Sequence, residues 1–214
     1  MGPRLRGLLL AWTLTFLPAS ASALDIFIDQ AANPTIVARG EIVKGDQSKL
    51  RAFLEAHPRH PAAIAFHSPG GLAVEGMSIG YFIRKQGLAT RVGDAATCAS
   101  ACVFAFLGGV IREAAPSARL GVHMTSLMGV DAYIHALKRV LLLPNTDISL
   151  DDKIRLIVAL NEQHATAIAN TEAGYVLKMG VSLRLLEKAS ETLQMDIHWL
   201  TRAEMRDYNV TNAD

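Results

Sequence analysis

The chain has 214 residues, half of them hydrophobic and 19% charged, with 21 Lys and Arg against 20 Asp and Glu. That is enough apolar material for one domain with a sizeable core, and no Pro/Gly/Ser linker or charge block divides it. The near-neutral balance carries no electrostatic footprint for nucleic acid or for an anionic membrane surface.

The first 23 residues read as a secretory signal. Arg4 and Arg6 make a basic start, Gly7 to Leu17 is an apolar core of 11 residues, and Ala21-Ser22-Ala23 offers a small-residue cleavage site. Eleven residues are too few to span a bilayer, for which about 20 are needed, so an uncleaved anchor is the alternative and not the first reading. Cleavage after Ala23 leaves residues 24–214 as a single periplasmic or secreted domain. Losing Arg4 and Arg6 from the 21 basic residues leaves 19 against 20 acidic ones, a net charge of −1.

Short strands are predicted at Ile26–Ile28 and Thr35–Ala38 around Asn33-Pro34, with 40–43 continuing the sheet and an amphipathic helix from Asp46 to Ala56 stopped by Pro58 and Pro61. Ala62–Phe66 is a continuous apolar run of strand length. It feeds the turn Ser68-Pro69-Gly70-Gly71 and a helix from about Leu72 to Gln86, C-capped by Gly87. Thr90–Val92 is a strand, Thr97–Leu107 a helix ended by Gly108-Gly109, and Val110–Arg112 and Leu120–Met124 are strands around Pro116. Alternating strands and helices predict a parallel or mixed sheet in an α/β fold.

Beyond His123 the pattern is helical. Tyr133–Leu143 ends at Pro144, a long helix runs over Asp151–Ala173 after the N-cap Ser149, and a third helix starts at Ser182. Thr201-Arg202-Ala203-Glu204 is a capping box that opens a terminal helix.

The chemistry concentrates between His67 and His123: a Gly-Gly turn, a serine among small residues (Thr97-Cys98-Ala99-Ser100-Ala101-Cys102) and a histidine at a strand end (Arg119-Leu120-Gly121-Val122-His123). A serine hydroxyl needs a base within hydrogen-bond reach to act as a nucleophile, and the developing oxyanion needs backbone N–H donors. This segment can supply all three. On local pattern alone Ser100 also reads as a helix N-cap, His123 as a core histidine and Pro-Gly-Gly as a tight connection.

The HSPGG turn, Gly76 in the following helix, the small-Ser-small turn and the strand APSARLGVH resemble the proteolytic subunit of the Clp protease, over roughly residues 40–210. The resemblance implies the ClpP/crotonase fold, a spiral of β-β-α units. It further implies Ser100 as nucleophile, His123 as base, and Gly71 with the Ala101 amide as oxyanion donors. The acid is where the resemblance fails: aligning Trp199-Leu200-Thr201 with the family places Leu193 at its aspartate, so Asp196 is chosen, with Glu191 beside it and Glu172 more distant. Lys138, the base a signal-peptide-peptidase type would use, sits beside Arg139 on an amphipathic helix and reads as a solvated face.

Only two cysteines occur, Cys98 and Cys102, flanking Ser100. Two readings stay open: a disulfide, which an oxidising compartment favours, or two buried thiols. No metal and no cofactor is called for. The expectation is therefore an exported serine hydrolase, of peptidase type, acting on a peptide or other acyl substrate, with no nucleic acid and no ATPase partner, and with homo-oligomerisation open. The alternative is a catalytically degenerate periplasmic binding or scaffold protein of the same fold; hydratase or isomerase chemistry on acyl-CoA would need neither Ser100 nor His123. Of the remaining histidines, only His67 is singled out, as a pocket lining.

Overall fold

The computed structural model describes residues 23–126, 131–142 and 148–213, so the expected leader up to residue 22 and Pro144 lie outside the described residues. Two small sheets share the core. In the first, β1 (Asp25–Ile28) pairs antiparallel with β2 (Ile36–Arg39), and β2, β3 (Ala63–His67), β4 (Ala89–Val92) and β6 (Arg112–Ala114) follow in parallel. In the second, β5 (Thr97–Ala99) pairs parallel with β7 (Arg119–Val122), which pairs antiparallel with β8 (His198–Trp199).

Successive units deposit strands alternately on the two sheets, which is the winding of a β-β-α spiral. Helix α2 (Ala73–Gln86) joins β3 to β4, and α3 (Ala101–Leu107) joins β5 to β6. The bridge Ser68 to Cys98 ties the sheets together where β3 leads into the Gly-Gly turn. A single mixed α/β domain results, its core running from Leu24 to Val210.

Helix α3 is the axis of the molecule, every one of its residues being buried. Such a helix must be apolar all round, as Ala-Cys-Val-Phe-Ala-Phe-Leu is, and its free carbonyls need partners inside the protein. Arg84 donates to the carbonyls of Leu107, Gly108 and Gly109, Thr90 Oγ1 to Phe106 O at 2.7 Å, and Tyr175 Oη to Phe104 O at 2.5 Å. Arg112, 1% exposed, donates to Val210, Gly109 and Asn209 carbonyls, and burial beside Arg84 lowers its pKa to about 10.

Helix α2 approaches α3 closely enough that a Cβ on Gly76 would stand 2.2 Å from Ala101 O, and one on Gly108 2.2 Å from Gly80 O. Small residues at these crossings let two backbones meet. Helix α1 (Asp46–Ala56) forms over the predicted residues and packs against α2.

The C-terminal half adds α4 (Asp131–Leu141), the 29-residue α5 (Leu150–Lys178), α6 (Arg184–Ser190) and α7 (Arg202–Asp207). Ser149 caps α5 by accepting from Asp152 N, and the Thr201–Glu204 capping box is formed in full. Among the described residues no helix is long and apolar enough to cross a membrane.

Two elements differ from the sequence expectation. Thr97–Ala99 is strand, not the first turn of the helix, because Cys98 pairs with Leu120 in β7 and bridges Ser68. The strand expected at Val110–Arg112 forms two residues later, since Gly109 N still donates to Phe106 O and Arg112 is the residue that pairs with Thr90.

Candidate active site

The parallel register of β5 with β7 decides what can meet. Ala99 pairs with Gly121, and Ser100 N donates to Gly121 O at 2.8 Å, so Ser100 stands beside Val122 and one residue short of His123. Ser100 and His123 line the same two cavities, of about 300 and 590 Å³.

Ser100 occupies the N-cap position of α3, yet its side chain makes no capping hydrogen bond. Ser149 and Thr201, in the same position on α5 and α7, both do. The difference lies in the backbone: those two are extended, whereas Ser100 has φ 56° and ψ −126°, a conformation that L-residues rarely adopt. The sharp strand-to-helix turn carries the hydroxyl away from the helix amides, and Ser100 lines both cavities. A plain N-cap role is thereby excluded.

The Gly-Gly turn is sewn against this point from three sides. Ser68 Oγ accepts from Gly70 N, Ser68 O accepts from Ala99 N, and Gly70 O accepts from Ile42 N. Gly70 (φ 107°) leaves no room for a side chain, since a Cβ would lie 2.7 Å from Ser100 Cβ; at Gly71 (φ 138°) one would lie 2.1 Å from Ile42 O. The amides of Gly71 and Ala101 have no acceptor among the described residues. Gly71 lines the larger cavity, and Ala101 is fully buried directly after Ser100.

His123 follows β7, and its Nδ1 lies 2.9 Å from Met124 O. A carbonyl only accepts, so Nδ1 carries the proton and Nε2 is the basic nitrogen. Met124 N in turn donates to Thr192 O, which pins the exit of the strand to the end of α6.

Asp196 belongs to neither cavity lining. It is exposed, and its Oδ1 accepts from the next amide, Ile197 N, at 2.8 Å. Glu191 pairs with Lys188 at 2.7 Å on the surface. Glu172 is the acid that lines both cavities with Ser100 and His123; it is buried, burial holds its carboxyl above the usual range, and Oε1 accepts from Thr125 Oγ1 at 2.5 Å. Sequence reasoning underrated it, although the spacing of Ala165, Ile168, Glu172, Tyr175 and Met179 sets one carboxylate on an otherwise apolar stripe of α5.

Cys98 and Cys102 are joined as a disulfide, Cα to Cα 5.2 Å, which ties β5 to the first turn of α3 around Ser100. His67 is not in the pocket lining expected for it: its Nδ1 accepts from Thr97 N at 3.1 Å and joins the two sheets. Lys138 is exposed on α4, as its neighbours implied. Among the described residues no group of His, Cys, Asp and Glu is arranged to hold a metal ion.

No protein-family model matches the chain. No curated protein matches it either. Solved structures to which it is similar include ClpP1 from Listeria monocytogenes, at 20% identity and TM-score 0.48 over 80% of this chain and 84% of that one. A mutant of the 1510-N membrane-bound stomatin-specific protease is similar at 17% identity and TM-score 0.47, over 82% of this chain and 75% of that one.

Proposed function

We propose that the chain is a serine hydrolase of peptidase type, with Ser100 as nucleophile and His123 as general base. The observation that carries the reading is the uncapped, positive-φ Ser100 facing a cavity that His123 shares. A serine held in that conformation is neither a helix cap nor a packing residue.

In the proposed reaction His123 Nε2 takes the proton from Ser100 Oγ as the oxygen attacks the acyl carbon, and later returns it to the leaving group. The unengaged amides of Gly71 and Ala101 stabilise the oxyanion. The Met124 carbonyl takes the orienting part that a carboxylate has in a full triad: it fixes the tautomer with a partial charge in place of a whole one. Asp196 has no part in this mechanism.

Export follows from the leader pattern, and an oxidising compartment is where the Cys98–Cys102 bond persists. N-terminal sequencing of exported material is expected to begin at Leu24 or within a few residues of it; an intact Met1 on membrane-bound protein refutes cleavage.

The test of the site is labelling with a fluorophosphonate probe. Wild type is expected to label, and Ser100→Ala and His123→Ala are expected not to. Folded wild type that does not label favours the second reading, a binding or scaffold protein, which a main-chain carbonyl in place of a carboxylate at His123 Nδ1 among the described residues would suit.

A further inference from the structure

The smaller cavity is walled by Val103, Phe104, Ile168, Leu185 and Leu186, and Glu172 is the one acidic side chain among the described residues that line it. Among the described residues no lysine or arginine lines it. A carboxylate offers about four acceptor positions, and Thr125 fills one of them. Glu172 is only 9% exposed, so most of its hydration has been removed, and among the described residues it forms no ion pair, although Lys44 lines the larger cavity that Glu172 also borders.

Such a group is costly in the empty protein and becomes favourable when a ligand brings the missing cation. An apolar ligand would dehydrate it further, and a neutral amide would return a hydrogen bond without the charge. The walls suit an aliphatic stem, while Glu172 meets its charged end, the division of labour that lysine and arginine side chains provide. Ser100 and His123 open onto this same cavity.

We infer that Glu172 is a specificity-determining residue, and that the cavity takes the lysine or arginine side chain of a residue flanking the scissile bond. This rests on the peptidase reading for the words "scissile bond", but the binding of the cation does not. Burial acting on the Glu172 carboxyl is in keeping with a group awaiting a partner.

Calorimetry with benzamidine and its uncharged counterpart benzamide separates the two issues, since neither ligand is hydrolysed. Benzamidine is expected to bind wild type and Ser100→Ala alike, at least about tenfold more tightly than benzamide, as a charge-assisted hydrogen bond to a buried carboxylate implies. Glu172→Gln, near-isosteric and relieved of a buried charge, is expected to lose that preference. Equal affinity of the two ligands for wild type overturns the inference whether or not any variant folds, and so does a preference that survives in Glu172→Gln. Labelling of Ser100 alongside equal affinities would leave the hydrolase standing and remove only the basic specificity.

Discussion

Replacing Ser100 by alanine and by glycine separates the role of its hydroxyl from that of its backbone. The hydroxyl makes no capping bond, so Ser100→Ala forfeits none of the roughly 0.5–2 kcal/mol that a capping serine contributes and is expected to melt within about 0.5 kcal/mol of wild type. The backbone at φ 56° and ψ −126° carries strain on the order of 1–3 kcal/mol, which alanine retains and glycine releases. Glycine also raises the entropy of the unfolded chain, at a cost of about 0.5–1 kcal/mol. The net expectation is that Ser100→Gly is more stable than Ser100→Ala by about 0.5–2 kcal/mol, a rise of a few degrees in Tm for a domain of this size. Paired thermal melts, with probe labelling abolished in both variants, provide the check. A loss of 1–2 kcal/mol in Ser100→Ala would show that the hydroxyl is a cap after all, and a Ser100→Gly variant less stable than Ser100→Ala by about 0.5–1 kcal/mol, the bare entropy cost of glycine, would show that the turn is unstrained.

Gly76→Ala gains about 1 kcal/mol of helix propensity, but its Cβ would lie 2.2 Å from Ala101 O and 3.0 Å from Ala101 C, so backbone must shift; net destabilisation of about 1–3 kcal/mol with weakened labelling is expected, and a stabilised, fully labelled variant would refute the close approach. The Cys98–Cys102 loop is short, so replacing both by alanine is expected to cost about 2 kcal/mol of chain entropy while labelling falls further than stability accounts for; two alkylated thiols on unreduced exported protein would remove the bond from the argument. Glu172 has its carboxyl pKa raised by burial from 4.5, so the folded state holds that proton more tightly than the unfolded chain; its contribution is full at low pH and is lost as pH rises from about 4.5 through the raised value, a slope that Glu172→Gln should flatten in denaturant melts across that range.

The parts of the fold legible in the sequence were those written in local chemistry. Helix α1, the cap Ser149, the Gly87 C-cap in left-handed conformation and the Thr201–Glu204 box each depend on residues within one or two turns of one another. The short strand at Thr97–Ala99 was not legible, because small residues beside two cysteines four apart also suit a helix, and what makes them strand is Leu120 and Ser68 far along the chain. Ser100, His123 and the Gly-Gly turn could be picked out by type and order, whereas the partner of His123 Nδ1 is a main-chain carbonyl that no residue type announces. Asp196 was chosen for its nearness in sequence to the final elements, and a turn that spends its carboxylate on the adjacent amide defeats that reasoning.

The strain at Ser100 persists because its neighbours over-determine it. Its own amide is fixed to Gly121 O, the amide before it to Ser68 O, the residues two positions to either side are joined by the Cys98–Cys102 bond, and the carbonyl after it faces Gly76 with no room for a side chain. Each constraint comes from a different element, so relaxing the turn would disturb β7, the Gly-Gly turn and the α2–α3 contact together. A conformation costing a few kcal/mol is sustainable only in such a place. In the proposed reaction this arrangement leaves little to reorganise: the Ser100 hydroxyl makes no bond to the helix it precedes, and the amides of Gly71 and Ala101 belong to the same interlocked backbone. Strain and preorganisation are here one structural fact, and the four tethers are the reason a seven-residue helix can carry it.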